Sequence, residues 1–283
     1  MKRLDKKIGF IGAGNMAEAM INGLLESGLT IPSQISASDI RPDRLAIMSQ
    51  NYAIETIENN TQIFKRCDVV ILAVKPQQMN HILEEIADLL TNGLTTRKLV
   101  ISIAAGVPIR KIEQYLYRNL DDESAKLLPI VRVMPNTPAL VQAGMAGMSG
   151  NRYAGTDDLQ TVHNILKAIG EVIEFEEKDL HAVTALSGSG PAYVYYFIES
   201  LLQGAKELGL KRSDALTLTL TTIKGAIKLL EEAREDARVL RNKVTSPGGT
   251  TEAALKVLED RKVGSSIREA LKAAANRSVE LSS

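Results

Sequence analysis

Lys7-Ile8-Gly9-Phe10-Ile11-Gly12-Ala13-Gly14-Asn15-Met16-Ala17 is the stretch that decides the fold. A short apolar run, Lys7–Ile11, leads into a glycine-rich turn. Behind the turn, apolar residues recur at helical spacing: Met16, Ala17, Met20, Ile21 and Leu24. Gly28 reads as the helix stop. Strand, turn and helix in that order, with glycine at 12 and 14 and alanine at 17, form the alanine variant of the dinucleotide fingerprint. Gly12 permits the tight turn, and Gly14 lets a pyrophosphate approach backbone that carries no Cβ. Ala17 is small enough for the helix to pack on the sheet. The free N–H groups and dipole of the helix start attract phosphate charge. Asp39 lies about 20 residues further on, where a ribose-reading carboxylate is expected.

Downstream, short apolar runs alternate with helical patterns. Gln34–Ser38 reads as a second strand, and Arg41–Asn51 as a helix led by Pro42, a favoured first-turn residue. Asp68–Val74 and Leu99–Ile103 are continuous apolar runs, as strands buried on both faces require. Gln77–Leu90 and Ile109–Leu116 have helical spacing, and Ile130–Met134 reads as a further strand before Pro135. The alternation predicts a parallel, doubly wound sheet with helices on both faces. From Asp179 onward no strand pattern stands out. Helical patterns cover Ala192–Leu208, Asp214–Glu232, Thr250–Leu258 and Ser265–Leu281. With a boundary near 165–185, the expected architecture is an α/β Rossmann-type domain over 1–170 and an all-α domain over 171–283.

Composition closes off several function classes. The 283 residues fit about two domains. With 45% apolar and 24% charged residues, the chain can bury a core, which excludes a disordered chain. Its 34 basic and 34 acidic residues cancel, so no global field holds a polyanion. Tryptophan is absent and aromatics are 4%, which disfavours a base-stacking surface; nucleic acid is not an expected partner. Cys67 is the only cysteine, and His81, His163 and His181 have no ligand-like neighbours in sequence, so no metal site is expected. The longest apolar runs, such as Val69–Val74, are far short of a membrane span, and the charged start Met1–Lys7 leads into no signal-peptide pattern. The expectation is a cytoplasmic protein with no membrane partner.

The cofactor signals are mixed. Asp39 alone favours NAD, because a carboxylate accepts bonds from a free 2′-hydroxyl and repels a 2′-phosphate. Arg41 and Arg44 stand close by and can grip that phosphate instead. NADPH is the expected cofactor, with NADH the alternative. Two later loops, Ala73-Val74-Lys75-Pro76 and Ile103-Ala104-Ala105-Gly106, belong at the carboxyl ends of strands, where open α/β sheets bind ligands. Candidate cofactor contacts are thus Ile11, Gly12, Ala13, Gly14, Asn15, Met16, Ser38, Asp39, Arg41, Ala73, Val74, Lys75, Pro76, Ile103, Ala104 and Ala105. Cys67, before the start of its strand, reads as a packed thiol, not a nucleophile.

In the second half, Val244-Thr245-Ser246-Pro247-Gly248-Gly249-Thr250-Thr251 is the most informative run. Its glycines free the backbone and its threonines start a helix, so successive N–H groups can form a nest for a small carboxylate. A plain helix-capping turn is the alternative reading.

With these motifs the chain resembles the pyrroline-5-carboxylate reductases. The resemblance runs nearly end to end, through Phe10–Ala17, Ala73–Pro76, Ser102–Gly106, Val131–Pro138, Leu186–Tyr193 and Val244–Thr251. It implies an N-terminal Rossmann domain that binds NAD(P)H and a C-terminal helical domain that dimerises, with dimers often assembled into larger rings such as decamers. It implies reduction of 1-pyrroline-5-carboxylate to L-proline. By resemblance, Ser246, Gly248, Gly249 and Thr250 hold the substrate carboxylate and Thr251 bonds the ring nitrogen, as the candidate catalytic group. Asn60 and Asn136 join the cofactor contacts, and Glu177 falls near the position of a substrate-side acid. Where some members have Asn before the valine of the last motif, this chain has Lys243. The residues suit a cyclic imine, which needs no near-neutral acid, better than a ketone, which usually needs one. A β-hydroxy-acid dehydrogenase using Lys75, a non-catalytic nucleotide sensor and a phosphate-ester site at the glycine loop are the competing readings. A domain of about 100 residues has limited interior, so the apolar positions Leu216, Leu218, Leu220, Ile223, Ile227, Leu229 and Leu230 point to self-association, with a plain intradomain core the alternative.

Overall fold

The fingerprint segment folds as strand β1 (Ile8–Ile11), a turn, and helix α1 (Asn15–Glu26) in the computed structural model, which describes residues 3–282. The rest of the first half follows as β2 (Ile35–Ser38), α2 (Pro42–Tyr52), β3 (Glu55–Thr56), α3 (Asn60–Arg66), β4 (Val69–Leu72), α4 (Met79–Leu89), β5 (Leu99–Ser102), α5 (Ile109–Leu116), α6 (Asp122–Lys126) and β6 (Ile130–Met134). Then come β7 (Gly144–Gly150), α7 (Thr156–Lys167), β8 (Gly170–Glu174) and α8 (Leu180–Val183). Helices complete the chain: α9 (Gly190–Glu207), α10 (Arg212–Ala233), α11 (Ala237–Lys243), α12 (Thr250–Asp260) and α13 (Val263–Glu280).

The strands form one sheet in the order β3-β2-β1-β4-β5-β6-β7-β8. Pairs from β3 through β6 are parallel. The sheet departs from the all-parallel expectation at one edge: β7 runs antiparallel to β6, and β8 runs parallel to β7. The sequence Gly-Met-Ala-Gly-Met-Ser-Gly of β7 has no β-branched residue, so nothing marks it as a strand. Its small residues serve packing: a Cβ at Gly147 would meet Val183, Leu180 and Phe175.

Two cores lie on the two faces of the sheet. Alternate residues of each strand face opposite sides, so Ile8, Phe10, Val69, Ile71 and Ile101 pack with α1 and α7, through Met20, Ile21, Leu24, Val162 and Ile165. Ile11, Val70, Leu72 and Val100 pack on the other face with α3, α4 and α5, through Phe64, Leu83, Ile86 and Ile112. Each such fully buried side chain contributes about 1.5–3 kcal/mol. This two-sided burial is why the strands read as unbroken apolar runs.

Residues 1–189 and 274–283 form one compact unit, and 190–273 form a second. The last residues of α13 therefore belong to the Rossmann unit: Ser278 Oγ lies 3.0 Å from His181 Nδ1, and Arg110 donates to the Ser282 carbonyl at 3.4 Å. In the second unit, α9 packs on α10. Ala215 is the one buried apolar residue there. Tyr196 is 74% exposed, and Phe197, Leu216, Leu218, Ile227 and Leu229 are exposed as well. Helices this apolar without a core of their own need covering. Among the described residues no helix is long and apolar enough to cross a membrane.

Candidate active site

Because β1, β2, β4, β5 and β6 run the same way, the loops at their carboxyl ends share one edge of the sheet. The candidate cofactor residues Gly12–Met16, Asp39–Arg41, Ala73–Pro76, Ile103–Ala105 and Asn136 all follow those ends. β1 lies between β2 and β4, the point where the strand order reverses. Gly12 turns there with φ of +98°, and its N–H donates to the Ser38 carbonyl at 2.8 Å. A Cβ at Gly12 would sit 2.6 Å from the Ala73 carbonyl oxygen, so the β1 and β4 loops touch through it. Gly14 caps α1 without any side-chain bond to the helix start, and a Cβ there would meet nothing within 4 Å. Open space over uncapped N–H groups fits a pyrophosphate.

Asp39 and the two arginines divide their tasks. Asp39 Oδ2 accepts the Ala13 N–H at 2.8 Å, and Oδ1 accepts the Arg41 N–H at 2.9 Å. The Arg41 side chain is 56% exposed, with its Nε 3.6 Å from Asp39. Arg44 is enclosed, bonded to the Ala13 carbonyl at 2.9 Å and to Glu18 at 2.6 Å. Ser38 is fully buried and donates to Asn60 Oδ1 at 2.8 Å, while Asn60 Nδ2 donates to Glu85 at 2.9 Å. His81 reaches the other Glu85 oxygen at 3.1 Å. Lys75 is exposed where the β4 loop enters its next turn. Asn136 has its amide engaged by the fold: Nδ2 donates to Ser187 and Oδ1 accepts the Met145 N–H.

Glu177 sits in the first unit, where its Oε1 accepts the Ile109 N–H at 2.7 Å and pairs with Arg132 at 3.0 Å. Arg132 is buried within β6. Glu177 thus caps the start of α5 next to the Ile103–Gly106 loop. Burial, helped by the Arg132 charge, pushes His181 below the usual imidazole range. Truncating Arg132 to methionine should lower stability by about 2 kcal/mol, less than for a fully enclosed pair because Glu177 keeps access to water. A melting temperature lowered by about 5 °C, and partly recovered in Arg132→Met/Glu177→Gln, is the expected outcome of thermal unfolding.

Cys67 is buried, and desolvation pushes its thiol up to about 11, so it is no nucleophile at neutral pH. Lys98 donates to the Cys67 and Lys65 carbonyls at the end of α3. Burial lowers its ammonium below the usual lysine range. Among the described residues no group of three His, Cys, Asp or Glu side chains is placed to hold a metal ion.

From the Thr245–Thr251 loop, Thr245, Gly248 and Gly249 line a groove of about 610 Å³ in the second unit, together with Arg241, Asn242, Glu252 and Lys256; Thr250 and Thr251 are not part of its lining. The glycines' own N–H groups are engaged inside the loop: Gly248 donates to Glu252 Oε2 at 2.8 Å and Gly249 to the Ser246 carbonyl at 3.0 Å. The donors left open are those of Thr250, Thr251 and Glu252, the first turn of α12, which no side chain caps. The nest is therefore displaced by about one residue from the glycines that announce it. Lys243 pairs with Glu235 at 2.7 Å.

A family model described as "Pyrroline-5-carboxylate reductase dimerisation" matches residues 177–281, and one described as "NADP oxidoreductase coenzyme F420-dependent" matches residues 7–106. A pyrroline-5-carboxylate reductase 2 of Bacillus subtilis is 38% identical over 277 residues, covering 98% of this chain and 95% of that one. The chain belongs to the pyrroline-5-carboxylate reductase family. A solved pyrroline-5-carboxylate reductase from Coxiella burnetii superimposes with a TM-score of 0.88 at 39% identity, over 99% of this chain and 100% of that one. A pyrroline carboxylate reductase from Plasmodium falciparum, solved with NADP bound, superimposes with a TM-score of 0.86 at 31% identity and full coverage of both chains. The resemblance carried by the motifs extends over nearly the full chain. Sequence reasoning missed Glu18 and Glu85, whose partners lie far away in the chain, and it read Arg44 as a phosphate ligand where the fold bonds it to the Ala13 carbonyl and Glu18.

Proposed function

We propose that the chain reduces the C=N bond of 1-pyrroline-5-carboxylate to give proline, with NADPH as the preferred hydride donor. The observation that carries this reading is the uncapped start of α12, three open N–H donors beside two threonine hydroxyls, in a member of this family. The donors of Thr250, Thr251 and Glu252 suit a small carboxylate, and Ser246, Gly248 and Gly249 shape the turn that presents them. The Thr251 hydroxyl bonds the ring nitrogen and steadies charge as the imine is reduced. Holding the acid by its carboxylate fixes the imine carbon, and positioning is most of the catalysis such a reaction needs. A bound reduced nicotinamide supplies the hydride.

Gly12–Met16 hold the pyrophosphate, Ala73–Pro76 and Ile103–Ala105 line the nicotinamide side, and Asn60 and Asn136 hold the neighbouring loops. The NADPH preference is supported by the state of Asp39 and Arg41. Both Asp39 oxygens already accept backbone N–H groups, and the exposed Arg41 guanidinium is open to a 2′-phosphate. The exposed apolar faces of α9 and α10 support self-association through the helical domain.

The test is spectrophotometric: add pyrroline-5-carboxylate and follow NADPH and NADH oxidation separately. Oxidation of both, faster with NADPH at low concentration, is expected. Thr251→Ala should lower kcat by about tenfold or more, the scale of one lost positioned bond. Wild-type turnover in that variant would remove Thr251 from the mechanism.

A further inference from the structure

Ala13 stands between the two fingerprint glycines, and both of its backbone polar groups are held by side chains from the next strand–helix unit. Its N–H donates to Asp39 Oδ2 at 2.8 Å, and its carbonyl accepts from Arg44 Nε at 2.9 Å. Arg44 is itself locked. Its Nη2 meets Glu18 Oε2 at 2.6 Å, and Glu18 Oε1 accepts the Tyr52 hydroxyl at 3.2 Å. The Arg44 and Glu18 side chains are only 12% and 24% exposed.

The peptide unit is planar and trans, so the Ala13 carbonyl and the Gly14 N–H point in opposite directions. Pinning the carbonyl toward Arg44 therefore turns the Gly14 N–H away from α2. Among the described residues no acceptor takes that N–H, and the space beside Gly14 is open, since a Cβ there would meet nothing within 4 Å. Freed from Arg44, this peptide can rotate at little cost, because the glycine on its far side tolerates most backbone angles.

We infer that Arg44 is a positioning residue for the cofactor loop: it holds the Ala13–Gly14 peptide so that the Gly14 N–H is aimed, before any ligand arrives, at the site of a dinucleotide pyrophosphate. Glu18 and Tyr52 hold Arg44 in that pose. The 2′-phosphate is left to Arg41. This rests on the reading of Gly12–Met16 as the pyrophosphate loop.

The experiment measures binding of NADPH, NADH and adenosine 2′-monophosphate, which keeps the 2′-phosphate and has no phosphate on the 5′ side, to the full chain and its variants. Arg44→Gln should weaken NADPH and NADH alike, by about tenfold each, the scale of one lost donor to a charged group. It should leave the monophosphate unchanged and kcat at saturating cofactor near wild type. Glu18→Gln should act in the same direction with a smaller effect. Arg44→Lys should recover part of the affinity, because an ammonium keeps the charge and lacks the planar fork. Arg41→Ala should weaken NADPH and the monophosphate and spare NADH.

Loss of NADPH and monophosphate binding with NADH spared in Arg44→Gln overturns the inference, since Arg44 would then grip the 2′-phosphate. Unchanged affinities in Arg44→Gln overturn it too, as does full recovery in Arg44→Lys, which would reduce the role to charge. Should Arg44→Gln unfold, Arg44→Lys and Glu18→Gln decide by the same equal-loss criterion. Gly14→Val separates the two readings. If it keeps cofactor affinity, the pyrophosphate site itself is misplaced; if it alone loses affinity, only the role of Arg44 falls.

Discussion

Gly12→Ala is expected to lower affinity for NADPH and NADH by about a hundredfold or more and to destabilise the protein as well. Gly12 combines two demands that no other residue meets. Its φ of +98° lies where a Cβ is strained, at a cost of order 1–3 kcal/mol. Its Cβ would also fall 2.6 Å from the Ala73 oxygen and 2.8 Å from the Ala73 carbonyl carbon. Those atoms are backbone at the end of β4 and are tied in place, since the Ala73 N–H donates to the Ile11 carbonyl at 2.8 Å. Relief comes only by spreading the β1 and β4 loops, which opens the crevice where both halves of a dinucleotide must lie. Gly14→Ala is the informative contrast. Its φ of −72° suits any residue and its Cβ enters open space. That variant should melt like wild type yet lose cofactor affinity, because the methyl group fills the place of the pyrophosphate. Titration by nicotinamide fluorescence together with thermal unfolding separates the two. A Gly12→Ala protein that binds cofactor normally would show that the β1 and β4 loops need not touch.

The different fates of these glycines show what a sequence carries. The fingerprint was legible because its chemistry is local: turn, close approach and small helix residue all fall within Gly12–Ala17. Strands β4 and β5 were legible because burial on both faces demands nearly unbroken apolar residues, and β6 was legible despite the buried Arg132 at its centre. Strand β7 was not, because its glycines and methionines are chosen for what packs on them. The same division runs through the site. Asp39 was found by its distance from the glycines, yet its observed partners are the Ala13 and Arg41 N–H groups. Arg44 looked like a second phosphate ligand beside Arg41, and only the fold pairs it with Glu18. Glu177 was placed at the substrate by resemblance, and the fold engages it with Arg132 and the start of α5. Contacts between residues far apart in the chain leave no periodicity to read, and these side chains act through such contacts.

The helical half makes the same point about surfaces. Its apolar positions look like an ordinary core in sequence, since periodicity records that a face is apolar and not what covers it. The number of apolar residues already pointed to a second copy, and the folded chain shows which of them, Leu218, Ile227 and Leu229 included, still face outward.

Gly249→Ala should lower kcat/KM for pyrroline-5-carboxylate by about a hundredfold while leaving cofactor affinity unchanged. Backbone strain is not the cause, because φ of −83° and ψ of 170° are open to alanine. Crowding is. The new Cβ would stand 2.5 Å from Ser246 Oγ and 3.0 Å from the Ser246 carbonyl oxygen, which is the acceptor of the Gly249 N–H. The turn must open to admit it, and opening the turn re-aims the first N–H groups of α12. Three donors that converge on one carboxylate then no longer converge, and each misdirected bond to a charged group costs about 1.5–3 kcal/mol. Ser246→Gly placed on top of Gly249→Ala removes the worst contact and leaves only the carbonyl at 3.0 Å, a gap that a small shift can accommodate. The double variant should therefore recover about tenfold of the lost kcat/KM, a non-additivity expected only of residues that touch. Steady-state kinetics on the three variants decides it. If Gly249→Ala turns over like wild type, the carboxylate is held somewhere other than the start of α12; if the double variant falls further instead of recovering, Ser246 contributes to binding through its own hydroxyl and not merely as the wall behind Gly249.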